Sequence, residues 1–303
     1  MTEFEEEIKY IYNKFKHTKG GKNADYIPEL GKVNPNLYAI SIYGIDGYSY
    51  NIGDYKKEFG IESCSKVFTL GLALEKYGIK KIKNYIGNTK TLDKFNSVNE
   101  IESNKLHTIN SFNNAGAIAT TSLLYEKNKK NFEKKIIDNM SDYAGRKLHV
   151  DSKLFLSEFN NADHNMAIAY LLSSYNRFYG DVQSSVEVYT KQCSTMTTTQ
   201  DIAIMGATLA NNGINPKTNK KVIDSKYISY ILNHMEQNGL YEESEHLIKH
   251  LKFPTKSGVS GVLLIVVPGV MGIGIYSPPL NNHGNSVKGI KTMKMLSKIL
   301  SKI

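Results

Sequence analysis

Glu62-Ser63-Cys64-Ser65-Lys66-Val67-Phe68-Thr69-Leu70 places a serine and a lysine three residues apart at the start of an apolar periodic run. In a helix that spacing puts both side chains on one face. A lysine amine kept neutral by burial or by a neighbouring cation can take the serine's proton and turn a weak alcohol into a nucleophile. The pattern therefore nominates Ser63 as nucleophile and Lys66 as base. Ser-x-x-Lys also occurs at ordinary helix N-termini with a solvated lysine, so the tetrapeptide does not decide the matter by itself.

A second motif, Lys256-Ser257-Gly258, lies just before Gly261-Val262-Leu263-Leu264-Ile265-Val266-Val267, a run that reads as a buried strand. Serine hydrolases of the penicillin-recognising type combine a Ser-x-x-Lys helix with a Lys-Ser/Thr-Gly strand. The wider order narrows the choice. Asn23 to Leu30 precede the first motif, with Gly47 and Gly53-Asp54 between. Asn114-Ala115-Gly116-Ala117-Ile118 follows, then Ser157-Glu158 with Asn165 seven residues after the glutamate, and Tyr189 four before Cys193-Ser194. The series closes with Ser277-Pro278-Pro279-Leu280 and Gly284-Asn285-Ser286-Val287-Lys288-Gly289. In this order and spacing the chain closely resembles the serine-dependent glutaminases over about residues 20 to 292. The resemblance implies an α+β fold of the β-lactamase/transpeptidase-like kind.

Composition agrees with one catalytic unit. A chain of 303 residues with 41% hydrophobic content can bury a sizeable core. Met1 to Glu7 has no basic region followed by an apolar core, and no apolar run reaches the length of a membrane span, so a cytoplasmic protein is expected. The two cysteines, Cys64 and Cys193, read as free thiols. The net charge of +9 is spread over scattered lysines and short tracts without a reading module or interleaved aromatics, which argues against a nucleic-acid partner.

The periodicities place strands at both ends and helices between. Residues 3 to 18 read as a helix; Leu37 to Tyr43 and Tyr48 to Ile52 read as a hairpin turned at Asp46-Gly47. The Ser63 helix should stop at Gly78. Helical patterns cover Ala115 to Tyr125, Phe132 to Ala144, Asn165 to Tyr175, Val186 to Lys191, Gln200 to Asn211 and Ser225 to Gln237. Leu263 to Val267 and Met271 to Tyr276 form a second hairpin, and Ser286 can cap a last helix. The expectation is one domain over 1–303, with an antiparallel sheet from about 1–84 and 246–303 and a helical subdomain over about 85–245.

Hydrolysing a carboxamide needs a nucleophile, a base that returns its proton to departing ammonia, and donors for the tetrahedral oxyanion. The resemblance implies Ser63, Lys66 and Tyr241 in catalysis, with the backbone amides of Ser63 and Val259 as oxyanion donors. It also implies Tyr26, Asn114, Glu158, Asn165 and Tyr189 as contacts to free L-glutamine, Glu158 holding the ammonium, with no cofactor or metal and a homodimer or homotetramer. Read singly, Asn114 and Asn165 could equally be helix caps and Glu158 a solvated helix residue. His246 and His250 have helical i, i+4 spacing, but no glutamate follows His246 as a zinc protease motif requires.

There are three departures from the family pattern: Glu62 stands for a glutamine, His164 for an arginine, and Asn110-Ser111-Phe112 for Asn-Pro-Met. A Glu62 carboxylate about 4 Å from the substrate carboxylate would repel it by roughly 4 kcal/mol at an effective dielectric of 20. Glu62 is therefore expected either to face the ammonium beside Glu158, one acid raising the other's pKa, or to turn away. Two other readings compete with glutaminase: a penicillin-recognising acyl-serine hydrolase, whose loose Ser-x-Asn pattern Ser174-Tyr175-Asn176 satisfies, and a catalytically silent glutamine-binding protein on the same scaffold.

Overall fold

The computed structural model describes residues 2–90, 96–104, 106–244, 247 and 253–300. The chain begins with helix α1 (Glu3–Phe15), the single turn α2 (Pro28–Gly31), strands β1 (Ala39–Gly44), β2 (Ser49–Gly53) and β3 (Phe59–Gly60), and helix α3 (Ser65–Ile86). The middle contributes α4 (Asn99–Ser103), α5 (Asn114–Leu123), α6 (Lys129–Ala144), β4 (His149–Val150), α7 (Ser152–Phe159), α8 (Asp163–Ser174), α9 (Val182–Cys193), β5 (Thr195–Thr197), α10 (Thr199–Ala210) and α11 (Ile228–Asn238). The last part adds β6 (Thr255–Gly258), β7 (Val262–Val267), β8 (Met271–Tyr276) and α12 (Val287–Leu300). His246 and His250 lie outside the described residues.

The main sheet has the order β2-β1-β8-β7-β6, with every neighbouring pair antiparallel, so both ends of the chain build it. Successive side chains of a strand point to opposite faces, and β7 is apolar on both. Leu263, Ile265 and Val267 pack with Ile8 and Ile11 of α1 and Met293 and Leu296 of α12. Val262, Leu264 and Val266 join the larger core with Ile202 and Met205 of α10. A strand buried on both faces reads as a continuous hydrophobic run, which is why 262–267 was legible as one.

Helix α10 comes from the middle of the chain yet lies directly on β8. A Cβ on Gly272 would sit 2.1 Å from the Ala203 carbonyl oxygen, and one on Gly274 would sit 2.3 Å from that of Thr199. Any side chain on that face of β8 would lift the helix off the sheet. The middle segment is thus not wholly a separate helical layer. It also carries β4 and β5, which pair with β3 in a second, three-stranded sheet of order β3-β5-β4. These short strands have too few residues to show an alternation in the sequence.

Local ends differ from expectation in small, explicable ways. Helix α1 stops at Phe15, and Thr2 and Glu5 form a capping box at its start. Gly78 adopts φ 75° and kinks the helical run at α3, which then resumes to Ile86. Ser286 does cap α12, its hydroxyl accepting the Gly289 N–H at 3.1 Å. Among the described residues no helix is long and apolar enough to cross a membrane.

Candidate active site

The nucleophile candidate sits where the two sheets meet. Ile61 donates its N–H to Thr195 O at 2.9 Å, extending the β3–β5 pairing, and the chain then turns through the 3₁₀ helix Glu62–Cys64 into α3. Ser63 is therefore one turn ahead of the α-helix proper, and residues three apart eclipse in a 3₁₀ turn. Glu62 is held at φ 50°, a left-handed conformation that costs a non-glycine residue of order 1–3 kcal/mol and persists only where the surroundings impose it. Ser65 Oγ donates to Glu62 O at 2.6 Å and fixes that turn. Strand β6 crosses close by, because a Cβ on Gly258 would lie 3.0 Å from both Glu62 Cβ and Ile61 O. Gly258 thus lets Val259, 8% exposed, approach the turn bearing Ser63, 9% exposed.

Lys66 is fully enclosed. Its Nζ donates to Phe112 O at 3.0 Å and to Asn114 Oδ1 at 2.8 Å, and it makes no ion pair among the described residues. Burial lowers its pKa to about 8, against smaller opposing influences from Cys193 and Glu62. Asn114 Oδ1 also accepts from Tyr189 Oη at 3.3 Å, while its Nδ2 donates to Asn165 Oδ1 at 3.1 Å. The cap reading of these asparagines is replaced: Asn113 caps α5, and Asn165 lies within the first turn of α8.

Tyr241 adopts φ 56° in its own 3₁₀ turn and is 8% exposed. Its hydroxyl hydrogen-bonds to the Ser63 side chain and to Ser257 O, the latter at 3.3 Å, and burial raises its pKa. Asn285 Nδ2 holds the turn through Leu240 O (3.1 Å) and Glu243 Oε2 (2.7 Å). Beneath the Tyr241 ring, at 4.2 Å from its centroid, lies Lys256 Nζ, donating to Gly239 O (3.0 Å) and Ser257 O (2.7 Å). Burial, with the charge of Lys66 next, brings its pKa to about 7. Sequence reasoning quoted Lys256 only as a motif letter; the motif was the available signal, but not the depth of burial.

The acidic groups of the site are Glu62 and Glu158. Glu62 is 3% exposed and hydrogen-bonds to Glu158, whose Oε1 accepts from Ser194 Oγ at 2.8 Å. Burial comes first in raising both acids, Glu158 to about 8. Of the two arrangements expected for Glu62, the one beside Glu158 is present. Tyr26 stands 58% exposed at the rim, its pKa raised by burial of the hydroxyl and then by Glu62 and Glu158. The Ser157 hydroxyl accepts the Glu29 N–H at 3.2 Å, tying α2 and the Tyr26 loop to α7, which carries Glu158. Possible ligand atoms of Glu62, Glu158 and Cys193 lie within 4.8 Å of one another, and burial raises the pKa of the Cys193 thiol. A cavity of about 620 Å³ opens beside Tyr26, Asn96 and Glu242.

The other departures have local explanations. A proline at 111 would bring no N–H; Ser111 brings one, and His234 Nε2 accepts it at 3.3 Å. Burial lowers the His234 pKa to about 4, keeping the ring neutral and able to accept. His164 is exposed, with Nε2 at 2.7 Å from Asn96 O at the mouth.

The comparisons bear on this geometry. The glutaminase family's sequence model matches residues 21–302. A glutaminase of Colwellia psychrerythraea is 42% identical, over 95% of this chain and 93% of that protein. Glutaminase 1 of Shigella flexneri is 42% identical, over 97% and 94%. Among solved structures, the probable glutaminase YbaS superposes with TM-score 0.96 at 41% identity over 98% of this chain and 96% of that one. Mglu in its glutamate form gives TM-score 0.94 at 30% identity over 99% and 69%. With the family model spanning nearly the whole chain and relatives this similar along their length, the chain belongs to the glutaminase family and is an amidohydrolase.

Proposed function

We propose that this protein hydrolyses free L-glutamine to L-glutamate and ammonia through a glutamyl ester on Ser63. Neutral Lys66 takes the Ser63 proton as Oγ bonds to the side-chain amide carbon, and the oxyanion rests on the N–H groups of Ser63 and Val259. The proton passes to the amide nitrogen, with Tyr241 as relay, the C–N bond breaks and ammonia leaves. Lys66, neutral again, takes a proton from water as the water attacks the ester, and glutamate departs with Ser63 restored.

The observation that carries this reading is Lys66: a buried amine without an ion pair among the described residues, its pKa about 8, one helical turn from a serine that a buried tyrosine also contacts. An amine tuned that near to neutrality suits a base working close to pH 7 to 8. Glu158, with Tyr26, Asn114, Asn165 and Tyr189 around it, supplies the acid and neutral donors that a zwitterionic head group needs. The fold follows the β-lactamase-like plan in this reading, and the protein works in the cytoplasm as a homodimer or homotetramer.

Ammonia release measured in parallel on glutamine, asparagine and a peptide amide tests it. Turnover of glutamine alone is expected; preference for the peptide amide would reject the substrate, and rapid nitrocefin hydrolysis would favour the penicillin-recognising alternative.

A further inference from the structure

Glu62 carries a negative charge on paper at the one place where relatives are expected to carry a neutral amide. Its side chain is 3% exposed and hydrogen-bonds to the half-buried carboxyl of Glu158, the two offering oxygens within 4.8 Å of each other. Two carboxylates cannot hydrogen-bond to each other; one must bring a proton. Among the described residues no N–H or hydroxyl donor reaches Glu62 Oε1. A bare carbonyl oxygen is a tolerable loss in a buried site, whereas a bare carboxylate oxygen facing a second acid is far costlier. Glu158, by contrast, has a hydroxyl donor in Ser194 that stabilises its ionised form.

We propose that Glu62 stays protonated and serves as a neutral hydrogen-bond donor to Glu158, acting as an acid in the role of an amide, so that Glu158 is the one of the two that gives up its proton and carries the charge when the substrate's α-ammonium binds. The surroundings favour this division. Lys66 is the cation facing Glu62, and its own burial favours the neutral amine; Cys64, Cys193, Tyr26 and Tyr189 face the acid pair and are neutral. Burial pushes Glu62 in the same direction and is reinforced by Glu158. Glu62 is thus a positioning residue for the head-group site, a statement that rests on the glutamine reading only for the bound state.

Infrared difference spectroscopy on the empty protein at pH 7, parent against E62Q, reads the protonation directly. Loss of a carboxylic-acid C=O band in E62Q is expected, and loss of a carboxylate band instead would overturn the proposal. In steady-state kinetics E62Q should keep KM for glutamine within about threefold of the parent from pH 6 to 8. Glu62→Met, which fills the space without a donor, should raise KM about tenfold or more while kcat changes less. A tenfold KM loss in E62Q, or an unchanged KM in Glu62→Met, would each overturn it. Failure of the parent to release ammonia from glutamine would sink the substrate assignment alone, because the infrared result needs no substrate.

Discussion

Two ends of the same pocket put opposite charges under the same stress. Lys66 and Lys256 are the buried amines of the site, Glu62 and the half-buried Glu158 its acids, and burial is the first cause of every shift, down for the amines and up for the acids. Both ends are pushed toward neutrality, but the outcomes differ in use. A neutral amine is a base, whereas a protonated acid is a donor. The cationic end is solvated by backbone carbonyls, those of Phe112 for Lys66 and of Gly239 and Ser257 for Lys256. At the acidic end the Ser194 hydroxyl donates to Glu158, and in our proposal the Glu62 proton supplies the other donor. The lesson is that a buried charge is best understood from the state its partners allow, not from the charge of the free residue.

The largest effect should come from the cationic end. Ser63→Ala and Lys66→Ala should each lower kcat/KM for glutamine by about 10³ or more, because members of a catalytic unit fail together. Turnover within tenfold of the parent in either variant would remove that residue from its role. Since the base must be neutral and its pKa in the empty protein is about 8, kcat/KM should climb as pH rises through that value. A kcat/KM profile flat from pH 6 to 9 would break the contrast between the two ends.

The acidic end is probed next by the substrate. Blocking the α-amine removes the ion pair with Glu158, so N-acetylglutamine should lose about 2 to 5 kcal/mol in kcat/KM if the pair is desolvated. Comparable hydrolysis of the blocked and free amino acids would show that the head-group pocket has been misplaced.

Lys256→Met sharpens the comparison within the cationic end. It removes one donor each from the Gly239 and Ser257 carbonyls, which keep the Ser257 N–H and the Tyr241 hydroxyl as partners, so the loss is about 0.5–1.5 kcal/mol net for each hydrogen bond. Both thermal stability and kcat should fall, with KM little changed. Full activity in this variant would make Lys256 a packing residue only.

The smallest effect is on stability. Glu62 binds its proton more tightly folded than unfolded, so the folded state loses ground as pH rises above the unfolded value of about 4.3 toward the raised folded one. E62Q lacks this penalty. Its melting temperature should match the parent's near pH 4 to 5 and exceed it increasingly toward pH 9; a constant difference across that range would mean that Glu62 titrates alike in both states.

Much of this molecule was legible in its residues. The β1–β2 and β7–β8 hairpins, the helices of the middle other than the short α4 and α7, and the ordered motifs around Ser63, Asn114, Glu158 and Lys256 carry local patterns, because side-chain period and turn chemistry act within a few residues. The short strands β3, β4 and β5 were not legible, being held by partners more than 40 residues away in the chain. That α10 lies on the sheet became plain only from Gly272 and Gly274, whose missing side chains make sense once a helix backbone rests on them. The same holds for chemistry. The sequence determined which titratable groups are present and in what order, and hence the family. Only the tertiary structure decided that Lys256 lies under Tyr241, that Asn113 rather than Asn114 is the cap, and that Glu62 meets Glu158. A group's protonation follows from how deeply it is buried and which charges face it, and both are set by segments that meet only when the chain is folded.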